Sequence, residues 1–179
     1  MKMNFNAPLT LVFALLTTLA LGINTLSNGW FNSMFALYFT SWLDPMMYLR
    51  LITYPFCHAN FTHLLNNMML FLVLGPILEA KYKPKRMIVA MLFTSVISGI
   101  AHLILAPRIG LVGCSGIVFM MIILASFAGN GKGIPLTFIF VFILYIGGQI
   151  ISAIQVNNIS ELTHIFGALC GAYIGFKMR

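Results

Sequence analysis

The sequence predicts an all-α membrane protein, built as a bundle of six transmembrane helices. Of its 179 residues, 60% are hydrophobic and only 7% are charged, whereas soluble domains carry about 25% charged residues. The apolar runs are also long and unbroken. A backbone in hydrocarbon must satisfy its amides within a helix or a closed barrel, and runs of this length favour helices.

Charged and turn-forming residues separate the apolar runs into six predicted spans. They are residues 8–26, 61–79, 87–106, 114–129, 134–154 and 162–177. We expect them to form a single membrane domain over residues 1–179, without a soluble domain or a repeat of fixed period. A cleaved signal peptide is an alternative for the first run, although the run is long for one.

The basic residues predict the orientation, because Lys and Arg favour the cytoplasmic side of a membrane. With the amino terminus inside, the cytoplasmic segments hold Lys2, Lys81, Lys83, Lys85, Arg86, Lys132, Lys177 and Arg179. Only Arg50 and Arg108 then lie outside. We therefore expect a multi-pass protein of the inner (plasma) membrane with both termini in the cytoplasm. The net charge of +7 reflects this topology and does not indicate a nucleic-acid site.

The outer segment 27–57 is predicted to lie in the membrane interface. It carries Trp30, Trp42 and many other aromatic residues around Asp44-Pro45, and it is too apolar to extend into water. Two interpretations are open: an interfacial anchor without chemistry, and an element that shapes a lateral opening.

Three polar clusters stand at the outer ends of the second, fourth and sixth spans. They read "HANFTHLLNN" at 58–67, "GCSG" at 113–116 and "ELTHIFG" at 161–167. Polar groups inside a bilayer are costly, so each is a functional candidate that needs a partner. Because the three ends lie near the same face, we expect the clusters to converge on one site.

The clusters supply the parts of an acyl-transfer site. A serine needs a base to become a nucleophile, and a histidine has a suitable pKa, so Ser115 and His164 form a candidate pair. Asn67 and His63 lie one turn apart on one helix face and, with the backbone N–H of Ser115, could bind the oxyanion. Taken singly, such residues are more often structural groups in a helical bundle.

Glycines are predicted to bring these elements together. Gly113 and Gly116 flank Ser115 and allow close approach of a backbone or substrate. A stripe of small residues on the sixth span, Gly167, Gly171 and Gly175, would pack it against the fourth span and carry His164 close to the serine.

His102 and the cysteines are not assigned to this site. His102 has no polar companion nearby and is interpreted as a structural imidazole. Cys114 is an alternative nucleophile, but a buried thiol without a cationic neighbour is usually inert, so Ser115 is preferred. The three cysteines, Cys57, Cys114 and Cys170, show no paired spacing, so no disulfide is predicted.

The sequence argues against a metalloprotease, because it contains no H-E-x-x-H pattern and no set of zinc ligands. Its only acidic residues are Asp44, Glu79 and Glu161. A triad also lacks an obvious third member. Glu161 precedes His164 by one turn, but side chains lean toward the helix amino terminus, so we expect it to point away from Ser115. It would then act as an acid at the positive end of the helix dipole, and the site would be a dyad.

Three motifs in this order resemble those of the rhomboid intramembrane serine proteases. The G-x-S-G motif is Gly113-Cys114-Ser115-Gly116, the H-x-x-G-x-x-x-G motif is His164, Gly167 and Gly171, and the second-span pattern is His58, His63 and Asn67. Arg50 and Glu79 also fall where the family often has these residue types. The chain is similar over essentially its whole length to bacterial rhomboids of the minimal six-helix type, which implies a six-helix bundle of the rhomboid type.

The resemblance implies an endopeptidase that cleaves peptide bonds in or next to the transmembrane segment of single-span membrane proteins. Ser115 would be the nucleophile and His164 the general base, while His63, Asn67 and the Ser115 N–H would bind the oxyanion. His58 and Glu79 would be structural or hold water, and the fifth span with segment 27–57 would gate lateral entry from the bilayer. The resemblance implies no metal or organic cofactor.

Three positions depart from the family pattern: Leu49 replaces a tryptophan, Thr163 an alanine and Phe119 a tyrosine. Phe119 keeps a ring that can stack on the His164 imidazole, since residues four apart share a helix face. Two other functions are open, a catalytically inactive rhomboid-like binding protein and a small transporter. The first would normally have lost Ser115 or His164, and the second would need broken helices at the membrane midplane.

Overall fold

The computed structural model describes residues 6–129, 133–156 and 160–178, and in these ranges the chain is helical. The helices are α1 (Pro8–Leu26), α2 (Trp30–Phe35), α3 (Pro45–Thr53), α4 (Phe61–Tyr82), α5 (Pro84–Leu105), α6 (Ser115–Ala125), α7 (Leu136–Val156) and α8 (Ser160–Lys177). A 3₁₀ turn, Tyr54–Phe56, joins α3 to the segment before α4. Each predicted span therefore overlaps one helix. Lys2, Lys132 and Arg179, part of the predicted charge bias, lie outside the described residues.

Within the described ranges, three helices are long and apolar enough to cross a membrane: α1, α4 and α5. Helix α6 and the part of α7 from Leu136 to Gly148 are shorter apolar helices. The 11 residues of α6 extend about 16 Å, about half of a 30 Å hydrocarbon core. An all-helical, multi-pass membrane protein is thus confirmed, whereas six complete crossings stay a prediction.

Two helix boundaries differ from the prediction. Helix α4 continues through Lys81 to Tyr82, because lysine is a good helix former whose long stem can reach the interface. Within the predicted span 114–129, helix α6 ends earlier, at Ala125. The next three backbone N–H groups bond to carbonyls three residues back, which tightens the chain and stops an α-helix. The Lys81 Nζ donates to the Ala128 carbonyl at 2.7 Å and fixes this end against α4.

Helix α6 is the core of the bundle. Its side chains are almost all buried, namely Ile117, Val118, Met120, Met121, Ile122, Ile123 and Leu124. Helices α4, α5, α7 and α8 pack around it. Apart from Ser115, α6 is built of apolar residues and glycine, so these contacts hold its first residue, Ser115, within the bundle.

The predicted glycine stripe packs α8 against α6. A Cβ built on Gly167 would overlap the backbone of Gly116, and one on Gly171 would lie 2.5 Å from the Met120 carbonyl oxygen. Real Cβ atoms do not approach so closely, so only glycine permits this contact. The close approach of spans four and six expected from the sequence is present.

Segment 27–57 is folded and is fastened to the chain before α6. The buried Arg50 side chain donates from Nε to the Met34 carbonyl at 2.9 Å and from Nη2 to the Tyr38 hydroxyl at 2.6 Å. The backbones of Leu37 and Leu111 exchange two hydrogen bonds. This segment therefore fixes the loop that leads into Ser115.

Glu79 holds the start of α1 at the other end of α4. Its carboxylate accepts hydrogen bonds from the backbone N–H groups of Leu9 and Thr10 at 3.0 and 2.9 Å and from the Thr10 hydroxyl at 2.8 Å. Three donors satisfy a buried carboxylate that would otherwise be costly in a membrane. This contact is structural, and Glu79 does not line the cavity described below.

Candidate active site

A cavity of about 390 Å³ opens where α4, α6 and α8 begin. The sequence-predicted residues that line it are His63, Asn67, Ser115, Phe119 and His164. Asn66 and Thr163 also contribute to its wall. The three clusters that were expected to converge therefore meet, while His58 and Glu79 lie outside the lining.

Ser115 is the first residue of α6. The N–H groups of the first helical turn have no acceptor within their own helix, and the amino-terminal end of the helix carries partial positive charge. Gly113, two residues earlier, has a φ of +103°, a left-handed conformation that favours glycine. The chain thus turns sharply into α6, and Ser115 lines the cavity.

His63 and Asn67 form the wall from α4. The ring of His63 packs on Gly113, where a Cβ would lie 2.7 Å from both Cε1 and Nε2. The buried Asn67 amide donates from Nδ2 to the His63 carbonyl at 3.2 Å. This bond fixes the amide and uses one of its two N–H groups, so the second can serve another acceptor.

The His164 ring is stacked on Phe119. The ring centroids are 4.3 Å apart and the planes differ by 5°. Tyr145 of α7 meets Phe119 edge to face, with a centroid distance of 5.7 Å and an interplanar angle of 79°. The stacking expected from the sequence is present. Tyr145 was not predicted, because nothing in the sequence separates it from the many aromatic residues of this chain.

Glu161 lies against His164. Its Oε2 is 3.4 Å from His164 Nδ1, and both side chains are largely buried, with 16% and 17% exposed. The expectation that Glu161 points away from the site is therefore wrong. The Cβ tilt of a helix is small compared with the reach of a glutamate, which can extend along the face it shares with a residue three positions later.

His58 lies behind His63, fully buried. The two rings meet edge to face with centroids 5.1 Å apart, and His58 Nε2 lies 3.8 Å from the Cys114 sulfur. Burial, and then the neighbouring positive charge that His63 can carry, lower the pKa of His58 to about 4. The His58 imidazole is therefore neutral at physiological pH and packs behind His63, outside the cavity lining; its structural role stays a prediction.

The remaining residues singled out from the sequence differ in their contacts and burial. His102 Nε2 lies 2.7 Å from the Ile109 carbonyl and ties α5 to the loop before α6. Thr163 is buried, and its carbonyl oxygen would lie 3.3 Å from a Cβ on Gly116. Leu49, in the place of the family tryptophan, is 44% exposed. Cys114 is buried beside the candidate nucleophile and does not line the cavity.

Comparison with known proteins supports the resemblance drawn from the motifs. The profile of the Rhomboid domain matches residues 45–179. The chain is also similar to Rhomboid-related protein 1 of Caenorhabditis elegans, with 30% identity over 138 residues. That match covers 71% of this chain and 39% of the relative, so the chain spans about two fifths of the relative's length. Since the domain match covers most of the sequence and the site, this chain belongs to the rhomboid family.

Proposed function

We propose that this protein is an intramembrane serine endopeptidase with a Ser-His dyad. The observation that carries the proposal is the shared cavity of Ser115 and His164, with the imidazole held by stacking on Phe119. A nucleophile, a base and several oxyanion donors on three different helices are the parts that acyl transfer requires. An inactive binding protein would have no need to keep all of them.

In the proposed reaction, His164 takes the hydroxyl proton of Ser115 while Oγ attacks the carbonyl carbon of the substrate. The carbonyl π electrons move to oxygen, where the Ser115 N–H, the Asn67 amide and the His63 ring donate hydrogen bonds. The C=O bond then re-forms as the C–N bond breaks, which leaves the acyl-serine, and the departing amine takes the proton from His164. Water, deprotonated by the same imidazole, hydrolyses the acyl-serine and restores the enzyme.

The proposed substrates are single-span membrane proteins, cut in or beside their transmembrane segment. We propose that the cavity, at the beginning of α4, α6 and α8, faces the outer side of the inner (plasma) membrane and that both termini are cytoplasmic. The bias of basic residues toward the predicted cytoplasmic segments supports this orientation. Phe119 joins the site to α7 through Tyr145, and segment 27–57 fixes the loop before Ser115. These contacts support the proposal that α7 and this segment control entry from the bilayer.

The test is cleavage of a panel of fluorescent single-span substrates by the purified protein in liposomes. We expect cleavage by the wild type and none by Ser115→Ala or His164→Ala. Ser126→Ala is the matched control, because this serine stands just after the other end of α6 and its hydroxyl donates to the Ile123 carbonyl. Cleavage by Ser115→Ala or His164→Ala as well as by Ser126→Ala would contradict the proposal. So would the absence of labelling of the wild type and Ser126→Ala by a serine-directed fluorophosphonate.

A further inference from the structure

The contact between Glu161 and His164 is not explained by a dyad. A carboxylate with 16% of its side chain exposed has lost part of its hydration, so a nearby hydrogen-bond donor stabilises it. The atom of His164 that it faces is Nδ1, 3.4 Å away.

We infer that Glu161 is a positioning residue for His164, a conclusion that rests on the proposed function. The carboxylate accepts the Nδ1–H of the neutral ring, which leaves Nε2 unprotonated and able to take the proton of Ser115. When that proton arrives, the imidazolium lies next to a negative charge. Phe119 holds the plane of the ring, and Glu161 selects its tautomer.

The competing explanation is a helix-capping role. Glu161 lies in the first turn of α8, where a negative charge stabilises the helix by interacting with the positive end of its dipole. Glu161→Asp separates the two explanations. Aspartate keeps the charge in the first turn, but its side chain is one methylene shorter and cannot reach Nδ1 from the same backbone. A capping role predicts that Asp restores activity, whereas a positioning role predicts that it does not.

The kinetic experiment compares wild type, Glu161→Ala and Glu161→Asp in liposomes. We expect both variants to lose about tenfold to a hundredfold in kcat, less than the roughly 10⁴-fold loss for the orienting acid of a triad, because 3.4 Å is a long contact. KM should change by less than about twofold, since Glu161 acts on the base rather than on substrate binding. Wild-type kcat in Glu161→Ala, or recovery in Glu161→Asp, would overturn the inference and leave the proposed function standing.

A second readout does not need activity. Nitrogen-15 spectra of histidine-labelled protein report the tautomer of each ring, and the chain contains only four histidines. The His164 signals are identified by their loss in His164→Ala. We expect the Nδ1–H tautomer in the wild type and a mixture of tautomers in Glu161→Ala. Identical spectra in the two proteins would overturn the inference, even for a protein that cleaves no substrate.

Discussion

The rings of Phe119 and His164 lie parallel, 4.3 Å apart, on two different helices. An aromatic pair contributes about 0.5–1.5 kcal/mol beyond its buried area, so Phe119→Leu should lower kcat about threefold to tenfold. Phe119→Tyr retains the ring and should keep most of the activity. Steady-state cleavage of one substrate by both variants measures the difference. Equal loss in both variants would mean that packing volume, and not the aromatic face, is what His164 needs.

Asn67→Ala tests the oxyanion wall. Loss of one donor typically costs about 10²–10³ in kcat, while KM should change little because the bond forms mainly in the transition state. Asn66→Ala is the matched control, since Asn66 is an exposed neighbour on the same cavity. Wild-type turnover in Asn67→Ala would show that its amide serves only the His63 carbonyl.

Gly167→Ala tests the contact between α6 and α8. The added methyl would meet the backbone of Gly116, which cannot yield as a flexible side chain can, and overpacking typically costs about 1–3 kcal/mol. Gly147→Ala on α7 is the control, because nothing lies within 4 Å of its added Cβ. Thermal unfolding in detergent should show a lower Tm for Gly167→Ala only. A similar Tm for both variants would contradict the packing described here.

His58 predicts an acid-dependent loss of stability. Its pKa is lowered from the ordinary value of 6.5 to about 4 in the folded protein, so between these values the unfolded chain binds a proton that the folded chain does not. Stability should therefore fall as the pH drops from about 6.5 to about 4, and this histidine adds no further loss below that range. Tm measured across this range should fall more steeply for the wild type than for His58→Gln. Parallel curves for the two proteins would contradict a neutral, buried His58.

The sequence predicts most of the helices and most of the cavity. Helical spans follow from the length of apolar runs, and the meeting of Ser115, His164 and Asn67 follows from polar residues standing at ends that share one face. The stripe that begins at Gly167 predicts which two helices approach most closely. These features depend on composition and on the spacing of apolar, polar and small residues, and both can be seen in a single sequence.

What the sequence does not predict depends on side-chain reach and local turns. The direction in which the Glu161 carboxylate points is set by how its side chain extends. The tilt of the Cβ atom on the helix does not predict that extension. The early end of α6 depends on three tight turns after Ala125 in a segment that is still apolar. Tyr145 becomes part of the site only through the way α7 packs, and no periodic pattern marks it.

The most direct test of the central claim is to identify the residue that a fluorophosphonate modifies in the folded protein, using peptide mass spectrometry. The wild type and Cys114→Ala should both carry one adduct, on Ser115. Ser115→Ala should carry none, and His164→Ala should react far more slowly, because the hydroxyl then lacks its base. An adduct on another residue, or labelling and cleavage that persist in Ser115→Ala and disappear in Cys114→Ala, would contradict the account.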